Sequence, residues 1–149
     1  ALLVTDTSDL KAIKEKSAKV MDDFTSTPYA GRAALYAAKV NYKAKDVKSA
    51  KSQLEWAISH ATEPSISALA SLQLANELVE EKKLDEAMKL LDAEHDAGFD
   101  GLFWDLKGDI LVSKGKTNDA KSAYERALTK LERMGKYCII TQQKLDSLG

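Results

Sequence analysis

Three alanines, Ala50, Ala87 and Ala120, recur in matching surroundings at intervals of 37 and 33 residues, and this repetition constrains the fold more than any other feature. Each opens a similar segment, running to Leu54, Leu91 and Tyr124 respectively. Twelve residues earlier stands a small residue: Ala38, Ala75 or Gly108. Nine residues earlier stands Asn41, Leu78 or Leu111, and seven residues later Ala57, Glu94 or Ala127. Such a period fits two short helices and their turns. A unit of that size cannot bury its apolar face alone, so consecutive units stack. Two antiparallel helices approach closely only where small residues face each other, here Ala38 against Ala50 and their equivalents. Larger residues one turn away fill the flanking gaps.

Apolar spacing near 3.6 residues predicts helices over 8–24, 29–44, 46–60, 65–81, 84–96, 102–114, 117–133 and 136–148. Thr5, Asp6, Thr7 and Ser8 offer N-cap oxygens to the first, and Asp46 to the third. Breaks fall at Thr62 to Ser65 and at Gly98 to Gly101. Only two prolines and seven glycines occur, and no stretch alternates with period two, so no strand is expected. The expected fold is therefore all-α: a tetratricopeptide-repeat-like superhelix of three helix pairs. An N-terminal helix (8–28) precedes repeats over 29–64, 65–98 and 99–134, and a capping helix (136–148) closes the array. The third repeat matches that pattern best, with Trp104, Gly108, Leu111, Ala120, Tyr124 and Ala127. Its Leu106 is one place early, and the second repeat has Ser71 and Glu94 at positions often held by tryptophan and alanine.

At 149 residues the chain is one domain in size, long enough to fold without a metal or disulfide. Cys138 is the single cysteine, so no internal disulfide forms. With 22 basic and 23 acidic side chains the chain lacks the basic excess of a polyanion binder, which argues against nucleic acid. No run of ~18 apolar residues exists to span a membrane. Charge is nevertheless uneven. Residues 1–61 carry 10 basic and 7 acidic side chains, and residues 62–149 carry 12 and 16. Lys11, Lys14, Lys16 and Lys19 load the first helix; Lys39, Lys43, Lys45, Lys48 and Lys51 load the first repeat. The ordinary reading is a solvated face. The functional one is a basic surface beside anionic lipid or a charged partner.

No converging catalytic set is apparent. His60 and His95 fall near helix C-termini, which the helix dipole favours. Neither a helical histidine pair nor paired cysteines offer a zinc site. Cys138, beside Ile139 and Ile140, reads as a small buried hydrophobe. Asp22-Asp23 and Glu80-Glu81 are adjacent, so their carboxylates diverge on a helix. No phosphate-binding loop, dinucleotide fingerprint or nucleophile elbow occurs. No catalytic residue, metal or cofactor is expected, and the chain is not expected to be an enzyme.

The order of the segments Ala68–Ala75, Glu80–Ala87, Gly98–Gly115, Ala120–Ala127 and Gln142–Leu148 resembles the periplasmic domain of the YfgM family, the ancillary subunit of the bacterial SecYEG translocon. The block from Asp105 to Gly115, D-L-K-G-D-I-L-V-S-K-G, is the most specific part, and the likeness runs from Tyr29 to Gly149. It implies a short cytoplasmic N-terminus, one membrane anchor upstream of Ala1 and a helical-repeat domain on the periplasmic side of the bacterial inner membrane. It implies translocon subunits and a membrane-anchored periplasmic prolyl isomerase-like chaperone as partners, and a non-enzymatic role in assisting exported proteins. Two other readings are a periplasmic holdase that binds unfolded chains directly and a soluble cytoplasmic tetratricopeptide scaffold.

In tetratricopeptide domains the first helix of each pair lines a concave groove that holds an extended peptide or a partner helix. The repeat register assigns Arg32, Leu35, Lys39 and Tyr42 to that groove in the first repeat. It assigns Leu69, Leu72, Asn76 and Val79 in the second, and Leu102, Asp105, Asp109 and Val112 in the third. The surface so assembled has a basic end, a mixed middle and an acidic end. The Lys/Asn/Arg carboxylate clamp of co-chaperone repeats is absent. Leu35, Lys39, Tyr42, Val79 and Leu102 occupy its positions, apart from an isolated Asn76, so a C-terminal carboxylate is not the expected ligand. The face around Cys138, Ile139 and Ile140 is expected to cap the last repeat rather than to form a dimer.

Overall fold

A computed structural model describes residues 28–149 and, before them, Lys11, Ala12, Glu15, Lys16 and Lys19. Those five residues are helical; the rest of the helix expected over 8–24 lies outside the described residues. From Pro28 onward the elements are α1 (Pro28–Lys43), α2 (Val47–His60), α3 (Pro64–Glu80), α4 (Leu84–Asp92), a 3-10 turn (Ala97–Phe99), α5 (Asp100–Ser113), α6 (Thr117–Lys130) and α7 (Lys136–Ser147). No strand occurs among the described residues. Both prolines stand at the first position of a helix, α1 or α3, where a missing N–H costs no hydrogen bond.

The chain divides into two compact units, residues 1–74 and 75–149, with the division inside α3. In the first unit α1 packs on α2. The layer is built from alanines: Ala30, Ala34, Ala37 and Ala38 of α1 and Ala50 and Ala57 of α2 are all buried, with Leu54 as the large side chain among them. Gly31 belongs to the same economy of space, since a Cβ there would come within 3.0 Å of the Ala61 Cβ. In the second unit α5 packs on α6, α6 on α7 and α4 on α5. Phe103, Leu106 and Ile110 of α5 are buried, as are Ala120, Ala123, Tyr124 and Ala127 of α6. Gly108 is small because Tyr124 is large: a Cβ on Gly108 would overlap the tyrosine ring.

The turns carry the period in their backbone. Lys45 (φ 63), Lys82 (φ 64) and Gly115 (φ 75) all adopt the left-handed conformation, each five residues before one of the three recurring alanines. At each turn the following N–H reaches back five residues: Asp46 to Asn41 O at 2.8 Å, Lys83 to Leu78 O at 2.8 Å, Lys116 to Leu111 O at 2.9 Å. These bonds satisfy carbonyls that the helix end leaves unpaired. The entry to α2 is capped as expected, with Asp46 accepting from the Ser49 N–H at 3.2 Å.

Three helix ends differ from the sequence expectation by two residues or more; in one, the helix predicted over 117–133 stops at Lys130, because Leu131 is extended (φ −83, ψ 151). The helix predicted over 84–96 stops at Asp92, because Ala93 is extended (φ −67, ψ 154) and Asp96 instead caps the 3-10 turn by accepting from the Gly98 N–H. Glu94 therefore falls outside α4. The helix predicted over 102–114 begins two residues earlier, at Asp100, which holds His95 at 2.7 Å. His95 is accordingly not a C-terminal helix residue; its ring stacks on Phe103 at 3.7 Å between centroids. His60 does lie in the last turn of its helix, with Nδ1 3.1 Å from the Trp56 carbonyl.

Non-glycine residues at positive φ are strained by about 1 kcal/mol or more. Lys45→Gly and Lys82→Gly should each stabilise the chain by about 0.5–1 kcal/mol, and Gly115→Lys should destabilise it by a similar amount, as read from urea unfolding. Asn41 offers a second test. It is fully buried, and among the described residues neither its side-chain Nδ2 nor its Oδ1 has a hydrogen-bond partner. The equivalent positions are leucines, Leu78 and Leu111. Replacing an unpaired buried amide by a similar-sized apolar group removes a desolvation cost, so Asn41→Leu should raise stability by about 1–3 kcal/mol in the same assay.

Candidate protein-binding site

The positions assigned to the groove differ in what surrounds them. In the first unit, Arg32 is exposed and forms a two-point pair with Glu63, Nε to Oε1 at 2.9 Å and an Nη2–H donated to Oε2 at 3.0 Å. Lys39 is exposed, Leu35, Tyr42 and Leu69 are half-buried, and Leu72 is buried. In the second unit Asn76 and Val112 are exposed, while Val79, Leu102, Asp105 and Asp109 are half-buried.

Asp105 and Asp109 are the most elaborated of these. They lie one turn apart on α5, so their like charges share one face. Lys144 of α7 bridges them, its ammonium donating to Asp105 Oδ2 at 2.9 Å and to Asp109 Oδ2 at 3.0 Å. The second oxygen of each carboxylate is also engaged. Thr141, fully buried, donates to Asp105 Oδ1 at 2.6 Å, and the Tyr124 hydroxyl donates to Asp109 Oδ1 at 2.7 Å. Burial alone would lower the Lys144 pKa, but the hydrogen bonds and charges of Asp105 and Asp109 outweigh it, and the net shift is upward. Burial, then the hydrogen bond to Asp109, push the Tyr124 hydroxyl well above its ordinary value. The cluster joins α5, α6 and α7 through charge-assisted bonds.

A second cluster in the same unit surrounds Trp104. The Lys107 ammonium lies 4.4 Å from a Trp104 ring centroid and the Arg126 guanidinium 4.7 Å, and Lys107 also pairs with Asp92 at 2.9 Å. The Arg126–Trp104 contact ties α6 to α5 by cation–π attraction, and the Lys107–Asp92 ion pair ties α4 to α5. Sequence reasoning missed Thr141, Lys144 and the Tyr124 hydroxyl. Their separations from the aspartates are 36, 39, 35 and 15 residues, beyond any local pattern. The available signal was the pair of like charges on one helix face, which calls for a cation. Cys138 is half-buried. Among the described residues no group of three or more His, Cys, Asp or Glu side chains could hold a metal, and no helix is long and apolar enough to cross a membrane.

Short helices, small residues at the buried positions and left-handed turns in a fixed register define a helical-repeat domain. The family described as tetratricopeptide repeat-like domain matches residues 2–149, and the chain belongs to it. It is similar to the ancillary SecYEG translocon subunit of Neisseria gonorrhoeae, with 31% identity over 136 residues, covering 91% of this chain and 65% of that protein. The subunit of the same name from Escherichia coli is 31% identical over 97 residues, covering 65% of this chain and 47% of that protein. The one from Aggregatibacter actinomycetemcomitans is 29% identical over 119 residues, covering 80% and 58%. The resemblance drawn from Tyr29 to Gly149 is thus met in named relatives, of whose length the chain spans between 47% and 65%.

The Lys144 cluster makes a pH-dependent prediction. Its raised pKa contributes stability that is fully present below the unfolded lysine value of about 10.4 and is lost as pH rises through the folded value. Lys144→Met should cost about 2 kcal/mol in urea unfolding at neutral pH, since it leaves two neighbouring carboxylates without their shared donor. The difference from the parent chain should narrow as pH rises above ~10.5, because the unfolded parent releases the lysine proton there while the folded parent still holds it.

Proposed function

We propose that the chain is a non-enzymatic protein-binding domain, the periplasmic part of a membrane-anchored accessory subunit of the SecYEG translocon. The observation that carries this reading is the likeness to a protein named ancillary SecYEG translocon subunit over 91% of the chain. The fold fits it. Short helices with small residues at their buried positions suit a repeat domain, in which first-helix faces meet a partner. On this reading Arg32, Leu35, Lys39, Tyr42, Leu69, Leu72 and Asn76 supply docking contacts. Asp105 and Asp109, held by Lys144, supply acidic groups in the second unit. The partners are translocon subunits and a membrane-anchored periplasmic chaperone, and the anchor lies upstream of Ala1.

A photo-crosslinking amino acid placed at Lys39 or Asn76 of the whole protein in its own bacterium should yield adducts with a translocon subunit. Adducts from neither position would overturn the reading. Suppression of client aggregation by the isolated chain at near-equimolar ratio, without such adducts, would favour a direct holdase instead.

A further inference from the structure

The exposed face of α1 is unlike the rest of that helix. Tyr29, Arg32, Tyr36, Lys39 and Lys43 follow one another at steps of three, four, three and four residues, so they form a single seam along the helix. Tyr29 is 71% exposed and Tyr36 38%. The Arg32 side chain is 60% exposed, and Lys39 and Lys43 are exposed. The opposite face is mostly alanine, with Gly31, Val40 and Asn41, and is buried. Tyr29, Arg32, Tyr36, Lys39 and Lys43 are thus the exposed long side chains of α1, whereas Leu35 and Tyr42 are half-buried. No acidic residue occurs anywhere in Pro28–Lys43. The seam spans fourteen residue steps, about 21 Å at 1.5 Å each, long enough for several turns of a partner helix or a short extended segment.

We infer that this seam docks an acidic segment of a partner protein, whose carboxylates pair with Arg32, Lys39 and Lys43 while its apolar side chains pack on Tyr29 and Tyr36. The inference deepens the proposed function and rests on it. The chain already contains one instance of the chemistry, since Glu63 holds Arg32 at two points, 2.9 and 3.0 Å. Farther along the seam, Lys39 and Lys43 have no carboxylate within ion-pair distance among the described residues. Tyrosine and arginine are the residue types that carry binding energy at protein interfaces, because they bury much area at low entropic cost. A seam one helix wide, with a carboxylate fixed on it, suits a single acidic strand or helix better than a lipid surface. A broad anionic sheet would meet the Glu63 charge as well as the cations.

The test uses the purified 149-residue chain and a labelled peptide of repeating Glu-Leu-Glu-Ala, with a Gln-Leu-Gln-Ala peptide as neutral counterpart, read by fluorescence anisotropy. Vesicles of equal phosphatidylcholine and phosphatidylglycerol, read by co-sedimentation, form the lipid arm. The acidic peptide should bind at least about tenfold tighter than the neutral one, the equivalent of 1.4 kcal/mol. Lys39→Glu with Lys43→Glu should abolish that preference, and Lys39→Gln with Lys43→Gln should weaken it. Lys130→Glu, at the exposed end of α6, should leave it unchanged, with circular dichroism confirming the fold of each variant. Equal binding of both peptides would overturn the inference, as would equal loss in the Lys130 variant, or vesicle binding through Lys39 and Lys43 without peptide binding. Crosslinks from Asn76 to a translocon subunit without any preference for the acidic peptide would overturn this inference alone. Absence of crosslinks from both positions would instead remove the function on which it rests.

Discussion

Where two helix backbones cross at van der Waals distance, nothing much larger than a methyl group fits between them. The chain meets that demand with Ala38, Ala50, Ala75, Ala87, Gly108 and Ala120, all buried. Most of the architecture follows from it. A layer made of alanine gains little from any one side chain, so stability must come from many short contacts summed along each helix. Larger side chains fill the space beside the crossings, with Leu54, Leu91 and Tyr124 buried at the same place in each register. In the third register the volume is traded across the interface, glycine on one helix admitting a tyrosine ring from the other. The tight left-handed turns serve the same end, because they return the chain quickly enough for adjacent helices to lie against each other.

The helical class, the approximate position of each helix from Pro28 onward and the Asp46 cap were legible in sequence, because local rules decide them: apolar spacing, a side-chain oxygen before the first turn, proline at a helix start. The recurring alanines were legible because three copies of one packing problem received nearly the same answer. The early end of α4 was not. Glu94, His95 and Asp96 have no local reason to leave a helix; His95 is drawn instead to Asp100 and the Phe103 ring. The same limit applied to the candidate site. Register alone assigned Asp105 and Asp109 to a face, but not the neighbours waiting there, since Thr141 and Lys144 come from a helix more than thirty residues later. Asn41 was visible as the odd residue among leucines, yet only the structure shows that its amide is buried with nothing to bond.

Charge is deployed differently in the two halves of the chain. Residues 62–149 carry the acidic excess, but part of it is internal. Four carboxylate oxygens of Asp105 and Asp109 are consumed by one ammonium and two hydroxyls. Paired charges act as short-range fasteners and contribute little field at a distance. The cations of α1 lie on an exposed seam where only Arg32 shows a carboxylate partner among the described residues. The formal net charge of −1 therefore understates how differently the two halves present themselves to a visitor.

The polar attachment of α7 also separates two parts of one unit in their response to added salt. The Lys144 side chain is 31% exposed and those of its partners 18% and 33%, so mobile ions screen these pairs in part. The apolar layer between α5 and α6 answers the other way, because sulfate and similar ions are excluded from protein surface and favour its burial. A strongly excluded salt thus tightens the middle of that unit while slackening the hold on its last helix, so ionic composition can loosen the end of that unit independently of its centre.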